Sequence, residues 1–247
     1  MVPVFGFYKV SGYKSNADTY IENRISELDG FNGKKINFLG DSITYGNDGS
    51  GQSSRVEKPY PAIVAEKTKS TCNNYGYPGS TVGGDGSTKS SLGNVLGYMP
   101  MNSRITGIDT DADYNIVFGG TNDSKGDRIV PVGSIDDTSV LTFYGALKSI
   151  AEYLLTNFPQ KKNAFITPLH RLSDEANGYG DNLKSYVDAV KNIGELYGIP
   201  VLDLYSNGGG TPKNTAWKNA NMTDGLHPTQ EYYYKIADKI IAFLKTL

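Results

Sequence analysis

The sequence contains one cysteine, Cys72, and only two histidines among its 247 residues. A single cysteine cannot form an intramolecular disulfide or build a cysteine-based metal site. We therefore expect Cys72 to be a small buried apolar residue, as free cysteines commonly are. Histidine is the residue type whose ordinary pKa lies near neutrality, so a general base is sought at His170 or His227.

The sequence also lacks a run of 18 apolar residues, and its formal net charge is only −2. The first observation predicts no membrane span, and the second argues against a nucleic-acid or anionic-membrane partner. The first ten residues, MVPVFGFYKV, lack the basic start, apolar run and cleavage site of a signal peptide. A fragment of a longer protein would look the same. Localisation therefore stays open, extracellular or virion-associated for a fragment and cytoplasmic otherwise.

The composition is that of a globular protein, with 38% hydrophobic and 20% charged residues. The length suits one large domain, which we place at residues 34–247. Residues 1–33 are expected to be an N-terminal appendage or connector, with a short amphipathic helix at Ser15–Leu28. This appendage would suit attachment to a larger surface or phage-tail protein.

Short apolar runs alternate with helix-length periodic stretches along the main domain. The predicted strands are Ile36–Leu39, Thr71–Tyr75, Tyr114–Phe118, Ala164–Thr167 and Pro200–Leu204, and the predicted helices are Tyr60–Thr68, Ser139–Asn157, Asn182–Tyr197 and Thr229–Leu244. Strands that alternate with helices of this length favour right-handed crossovers and a parallel sheet covered on both faces. The predicted fold is a three-layer α/β/α sandwich with a mostly parallel five-stranded sheet.

Such a sheet binds its ligand beyond the carboxyl ends of its strands. The segments that follow the predicted strands are therefore the place to look for chemistry. They read GDSIT, GYPGST, GGTND, PLHR and, after a long loop, DGLHP. Four of the five combine a glycine with a hydroxyl, an amide or a carboxylate.

Ser42 follows the first predicted strand and is the candidate nucleophile. A serine hydroxyl is a poor nucleophile until a base takes its proton, and histidine suits that task. His227 lies three residues after Asp224 in DGLHP, a spacing that allows the carboxylate to orient the imidazole. Ser42, His227 and Asp224 are therefore the predicted catalytic residues.

Acyl transfer also needs hydrogen-bond donors where the negative oxygen of the tetrahedral intermediate develops. The candidates are the backbone N–H of Ser42, the backbone N–H of Gly79 and the side-chain amide of Asn122. A glycine lets the backbone approach a substrate closely, and Asn122 follows a predicted strand end. Nucleophile, base, orienting acid and donors together make a complete set for acyl transfer.

These segments resemble the SGNH hydrolases, also called the GDSL lipase/esterase family. The four blocks of that family occur in order, as GDSIT at 40–44, NYGYPGST at 74–81, GTND at 120–123 and DGLHP at 224–228. The resemblance implies Ser42 as nucleophile, Gly79 and Asn122 as oxyanion partners, His227 as base and Asp224 as third triad member. It also implies a flavodoxin-like sheet and an esterase without metal or cofactor. Ile43 and Pro78 depart from the commonest family residues and touch no catalytic group.

Other polar residues near these blocks have plainer interpretations. Asp41 and Asp123 are expected to shape their loops by accepting backbone N–H groups, rather than to act as acids or metal ligands. His170 fits an exposed or capping role as well as substrate contact, and it stays outside the catalytic set. Trp217, in the long loop 205–222, is expected to pack against the protein.

The favoured function is a serine esterase, a carboxylic ester hydrolase that removes short acyl groups from a carbohydrate or similar polar substrate. Acetyl is the expected acyl group, because the loops are polar and tyrosine-rich and no apolar lid helix is apparent. A non-catalytic glycan-binding or adhesion module on the same fold is the main alternative. Thioesterase or lysophospholipase activity would use the same residues with a different substrate cavity.

Overall fold

The structure, a computed structural model, describes residues 30–51 and 53–247. The helix predicted at Ser15–Leu28 lies outside the described residues, and the division of the chain at residue 33 stays a prediction. Phe31 is buried in the core and its ring packs 5.6 Å from that of Tyr114.

Five parallel strands form the central sheet. They are β1 Lys35–Gly40, β2 Thr71–Gly76, β3 Tyr114–Phe118, β4 Lys162–Ile166 and β5 Val201–Leu202, in the spatial order β2-β1-β3-β4-β5. Every neighbouring pair is parallel, so the predicted α/β fold is confirmed. The last strand is shorter than predicted, because Asp203 caps a helix that starts at Leu204.

The described part of the chain contains four long helices and several short ones. In chain order they are α1 Ser42–Tyr45, α2 Tyr60–Thr68, α3 Met101–Arg104, α4 Thr121–Ser124, α5 Phe143–Asn157, α6 Leu183–Tyr197, α7 Leu204–Asn207, α8 Thr215–Asn221 and α9 Gln230–Leu244. Helix α5 begins four residues later than predicted, because the Thr142 hydroxyl accepts the N–H of Gly145 and so caps the helix there. No helix in these ranges is long and apolar enough to cross a membrane.

Helices cover both faces of the sheet and bury two apolar clusters. Helices α2 and α9 pack on one face, against strand residues such as Phe38 and Ile116. Helices α5 and α6 pack on the other face, against Leu39, Val117 and Phe165. Because strand side chains alternate between faces, nearly continuous apolar runs are what a sheet covered on both sides requires.

Cys72 is half-buried in β2, with its Sγ 3.3 Å from the Ser70 hydroxyl. Burial raises the pKa of this thiol to about 11. A thiol that stays protonated at neutral pH is a weak nucleophile, which suits a structural role.

A row of asparagines interrupts the apolar strands and crosses the sheet. Asn73, Asn37, Asn115 and Asn163 occupy matching positions on β2, β1, β3 and β4. Each amide donates to the side-chain oxygen of the next: Asn73 to Asn37 at 3.0 Å, Asn37 to Asn115 at 2.8 Å and Asn115 to Asn163 at 3.0 Å. Because one wrong strand register would leave several buried amides unpaired, this row fixes the relative position of four strands.

Replacing Asn115 by Ala should lower the free energy of unfolding by about 2–3 kcal/mol, because its two buried neighbours each lose a partner. Urea unfolding followed by circular dichroism measures this. Asn157→Ala is the matched control: its amide donates to Tyr153 O at an exposed helix end, and its removal should change stability by less than about 0.5 kcal/mol. Equal effects of the two substitutions would contradict a structural role for the row.

Candidate active site

Ser42 is the first residue of α1 and follows β1 after a single residue, Asp41. The carboxylate of Asp41 accepts the Ile43 N–H at 2.9 Å and caps this four-residue helix. Ser42 is 5% exposed, so its hydroxyl lies in a recess at the carboxyl ends of the strands rather than on an open surface. The abrupt turn from strand to helix places the hydroxyl directly above the sheet.

The turn is held by a close backbone approach from the neighbouring strand. A Cβ added at Gly76, the last residue of β2, would lie 2.1 Å from the backbone N of Tyr45. Only glycine fits this position without moving α1. Asn74 strengthens the contact, since its amide donates to Thr44 O at 2.8 Å and its oxygen accepts the Gly76 N–H at 2.9 Å.

A continuous chain of hydrogen bonds joins Ser42, His227 and Asp224. Ser42 Oγ lies 3.0 Å from His227 Nε2, and His227 Nδ1 lies 2.7 Å from Asp224 Oδ2. A carboxylate only accepts hydrogen bonds, so Nδ1 carries the ring proton and Nε2 is the acceptor for the serine hydroxyl. The structure thus brings the three predicted residues into contact at working distances for proton transfer.

The loop before α9 fixes the imidazole. Asp224 Oδ1 accepts the backbone N–H of Leu226 at 2.9 Å and that of His227 at 2.7 Å. Burial opposes ionisation of this carboxyl, but its hydrogen bonds to the His227 ring and to these two amides lower its pKa to about 2. Asp224 is therefore a carboxylate at neutral pH and favours a positive charge on the ring when one forms.

Gly79 and Asn122, the predicted oxyanion partners, line one cavity of about 390 Å³ together with Ser42 and His227. Gly79 has φ +76°, a conformation in which other residues are strained. In the described ranges, the backbone N–H groups of Ser42 and Gly79 have no hydrogen-bond partner in the protein. Asn122 donates one N–H to Ser80 O at 2.9 Å, which leaves the second N–H of its amide for a ligand.

Asp41 and Asp123 hold loops, as expected. Asp123 is fully buried and accepts the backbone N–H of Val82 at 2.9 Å and that of Gly83 at 2.9 Å, so it ties α4 to the segment after Gly79. Burial raises the pKa of Asp123 to about 7 and that of Asp41 to about 6.

Arg104, at the end of α3, is a supporting residue that the sequence reasoning missed. Its guanidinium donates to three groups around the site: Gly40 O, Tyr75 O and the Ser80 hydroxyl, at 2.9, 2.9 and 2.8 Å. Gly40 precedes the Asp41–Ser42 turn, and Ser80 O accepts the Asn122 amide. One rigid cation thus fixes the ends of β1 and β2 and the partner of Asn122. No sequence motif marks such an arginine, because all three acceptors are distant along the chain.

The other singled-out residues lie apart from Ser42. His170 is half-buried and stacks on Tyr205, with ring centroids 3.8 Å apart. Trp217 packs against the protein as expected, edge-on to Tyr232 at 5.1 Å, although it lies on α8 rather than in a loop. Neither side chain lines the cavity at Ser42.

The chain matches the model of the GDSL-like Lipase/Acylhydrolase family over residues 38–235. Since this match spans most of the chain, the protein belongs to that family. Membership implies a serine ester hydrolase. A search of curated proteins gave no match.

Solved structures with the same fold are numerous. A protein from Lactobacillus plantarum is 32% identical, covers 87% of this chain and 98% of its own, and has a TM-score of 0.74. A possible lipase from Chitinophaga pinensis is 24% identical over 86% of this chain and 98% of its own, with a TM-score of 0.61. The lipase/acylhydrolase from Enterococcus faecalis is 19% identical over 86% and 96%, with a TM-score of 0.58. The last two show the fold alone.

Arg104→Lys should lower kcat for 4-nitrophenyl acetate by about 10- to 100-fold, because one ammonium cannot bind all three acceptors and the site loosens. KM should change by less than about twofold, since Arg104 lies behind the donors rather than against the substrate. Steady-state kinetics on the folded variant measure both constants, with the thermal midpoint as a check on folding. A wild-type kcat, or a loss confined to KM, would contradict the positioning role.

Proposed function

We propose that the protein is a serine esterase that hydrolyses short acyl esters, acetyl foremost, of a carbohydrate or similar polar alcohol. The observation that carries this proposal is the Ser42–His227–Asp224 chain, with its 3.0 and 2.7 Å contacts, at the edge of a cavity that also exposes Gly79 and Asn122. These residues supply a nucleophile, a base, an orienting acid and donors for an oxyanion.

In the first half-reaction, Ser42 Oγ attacks the ester carbonyl carbon while His227 Nε2 takes the hydroxyl proton. The carbonyl oxygen becomes negative and accepts hydrogen bonds from the N–H groups of Ser42, Gly79 and Asn122. The imidazolium is stabilised by the Asp224 carboxylate. Collapse of the tetrahedral intermediate breaks the bond to the alcohol oxygen, which leaves with the proton from Nε2.

In the second half-reaction, a water molecule replaces the alcohol. His227 takes one water proton as the oxygen attacks the acyl-serine carbonyl, and the same donors bind the new oxyanion. Breakage of the ester to Oγ releases the carboxylic acid and returns the proton to Ser42. The cycle consumes one ester and one water and needs no metal or organic cofactor.

The cavity at Ser42 supports a small acyl group. Its described lining is mostly glycine and polar side chains, and Pro78 and Leu226 are the larger apolar contributors. A long hydrocarbon chain gains binding energy by burying apolar area, about 0.8 kcal/mol per CH₂, and this lining offers little of it. The same argument makes thioesterase or lysophospholipase activity on long chains the weaker hypothesis.

A non-catalytic glycan-binding module on this fold is also the weaker hypothesis. It would have no need of an imidazole that is hydrogen-bonded to Asp224 at 2.7 Å and lies 3.0 Å from a buried serine hydroxyl. No contact of the described residues favours adhesion over catalysis.

The test is a kinetic panel of 4-nitrophenyl acetate, butyrate and octanoate. The wild-type kcat/KM should fall along that series. Ser42→Ala and His227→Ala should each lose at least about a thousandfold on acetate, and the double variant should be no worse than either single one, because the two residues act as a unit.

Two matched controls accompany the panel. Ser91→Ala removes an exposed hydroxyl, and His170→Ala removes the other imidazole; both should retain wild-type kinetics. Unchanged turnover in Ser42→Ala would refute the esterase proposal. Preference for octanoate would refute the short-acyl part alone.

A further inference from the structure

A second cavity adjoins the one at Ser42 and is walled by tyrosines. It measures about 370 Å³, and its described lining is Tyr45, Ser53, Gly76, Tyr77, Pro78 and Tyr98. Pro78 lines both cavities, so the second one opens beside the nucleophile. Its size is within the range of small-ligand sites, about 300–1,000 Å³.

The tyrosine rings are held in place around this cavity. An arginine guanidinium lies over each ring: Arg55 over Tyr45, Arg104 over Tyr77 and Arg128 over Tyr98, at 4.9, 5.9 and 3.9 Å from the ring centroids. Tyr77 and Tyr98 also pack edge-to-face at 5.9 Å. Rings fixed in this way lose little freedom when a ligand binds, which favours affinity.

The tyrosines that line this cavity, Tyr45, Tyr77 and Tyr98, form its tyrosine wall, and two of them contact residues beside the proposed catalytic groups. Tyr77 directly follows the last residue of β2 and donates its backbone N–H to Gly40 O at 3.1 Å. The ring of Tyr98 would lie 3.5 Å from a Cβ added at Gly79, so it packs beside the proposed oxyanion donor. The tyrosine-walled cavity therefore lies next to the groups proposed to cleave the ester.

We propose that the tyrosine cavity is the subsite for a pyranose ring that forms the alcohol part of the ester. This proposal rests on the esterase function above and names the substrate class more closely. A pyranose has an apolar C–H face for the aromatic rings and a rim of hydroxyls for the tyrosine and Ser53 hydroxyls. Bound there, the sugar presents an acetylated hydroxyl to Ser42 across Pro78.

The chemistry of the wall favours a neutral sugar over the other candidates. Tyr45 Oη donates to Ser53 O at 3.5 Å, but a hydrocarbon chain would offer the hydroxyls of the wall no further hydrogen bond in place of water, which is unfavourable. A carboxylate or phosphate group would need a cation in the lining, and no charged residue is among the described lining residues. The three arginines lie over ring faces and are not among the described lining residues of this cavity.

The experiment compares mono-acetylated methyl glycosides with cyclohexylmethyl acetate, which has a six-membered ring and an acetyl group but no hydroxyls. The glycoside panel consists of glucoside, galactoside, xyloside and N-acetylglucosaminide. At least one glycoside should have the higher kcat/KM in the wild-type protein. Tyr77→Ala should reduce that preference by about tenfold, the loss expected from one ring contact, and the change should appear in KM.

Tyr77→Phe keeps the ring and should keep most of the preference. Tyr45→Ala, on another wall of the cavity, should also lower it. Tyr234→Ala removes a half-buried tyrosine on α9, outside the cavity, and should leave the preference unchanged. Thermal midpoints show whether each variant is folded.

Two results would overturn the subsite. One is a wild-type protein that prefers no glycoside to cyclohexylmethyl acetate. The other is an equal loss on both substrates in Tyr77→Ala and Tyr45→Ala, which would mean that the wall acts on catalysis rather than on the sugar.

Saturation-transfer NMR on Ser42→Ala, with the same methyl glycosides without acetyl groups, separates this proposal from the function on which it rests. Signal that disappears in Ser42→Ala/Tyr77→Ala supports the subsite even when the wild-type protein hydrolyses no ester. Hydrolysis of 4-nitrophenyl acetate that depends on Ser42, without glycoside signal or preference, would leave the esterase standing and refute the subsite.

Discussion

The hydrogen bond between Ser42 Oγ and His227 Nε2 joins residues 185 positions apart, and it depends on the rest of the fold to bring these two side chains together. Closing so long a loop costs entropy that one hydrogen bond cannot offset. The parallel sheet supplies the difference. It brings the carboxyl ends of β1, β2 and β3 to one edge. Helix α9 packs on one face of the sheet, and the loop before it places His227 at this edge, against Ser42.

The positions of the site residues at that edge are fixed by buried polar groups, each of which has specific hydrogen-bond partners. The asparagine row fixes strand register within the sheet, and Arg104 fixes the strand ends above it. Asp123 ties the Asn122 helix to the segment after Gly79 with buried hydrogen bonds. Each of these groups is costly to leave unpaired, so the correct geometry is strongly favoured over small displacements.

Much of this was predictable from the sequence, because apolar runs and glycine-containing strand ends are local signals. The run from Ile36 to Leu39 gave β1, and GDSIT gave the candidate nucleophile after it. The four-residue helix at Ser42 and the late start of α5 were missed, since both depend on single capping contacts. Arg104 and the tyrosine cavity were also missed. Their partners lie far apart in sequence, and only the folded chain brings them together.

Covalent labelling with diisopropyl fluorophosphate measures most directly whether His227 activates the Ser42 hydroxyl. In this reaction the activated hydroxyl attacks phosphorus, an O–P bond forms and fluoride leaves. Peptide mass spectrometry then locates the adduct. We expect a single adduct on Ser42 that is lost in the folded His227→Ala variant, because the imidazole must take the hydroxyl proton. An adduct on another serine, or on Ser42 with equal yield in His227→Ala, would contradict it.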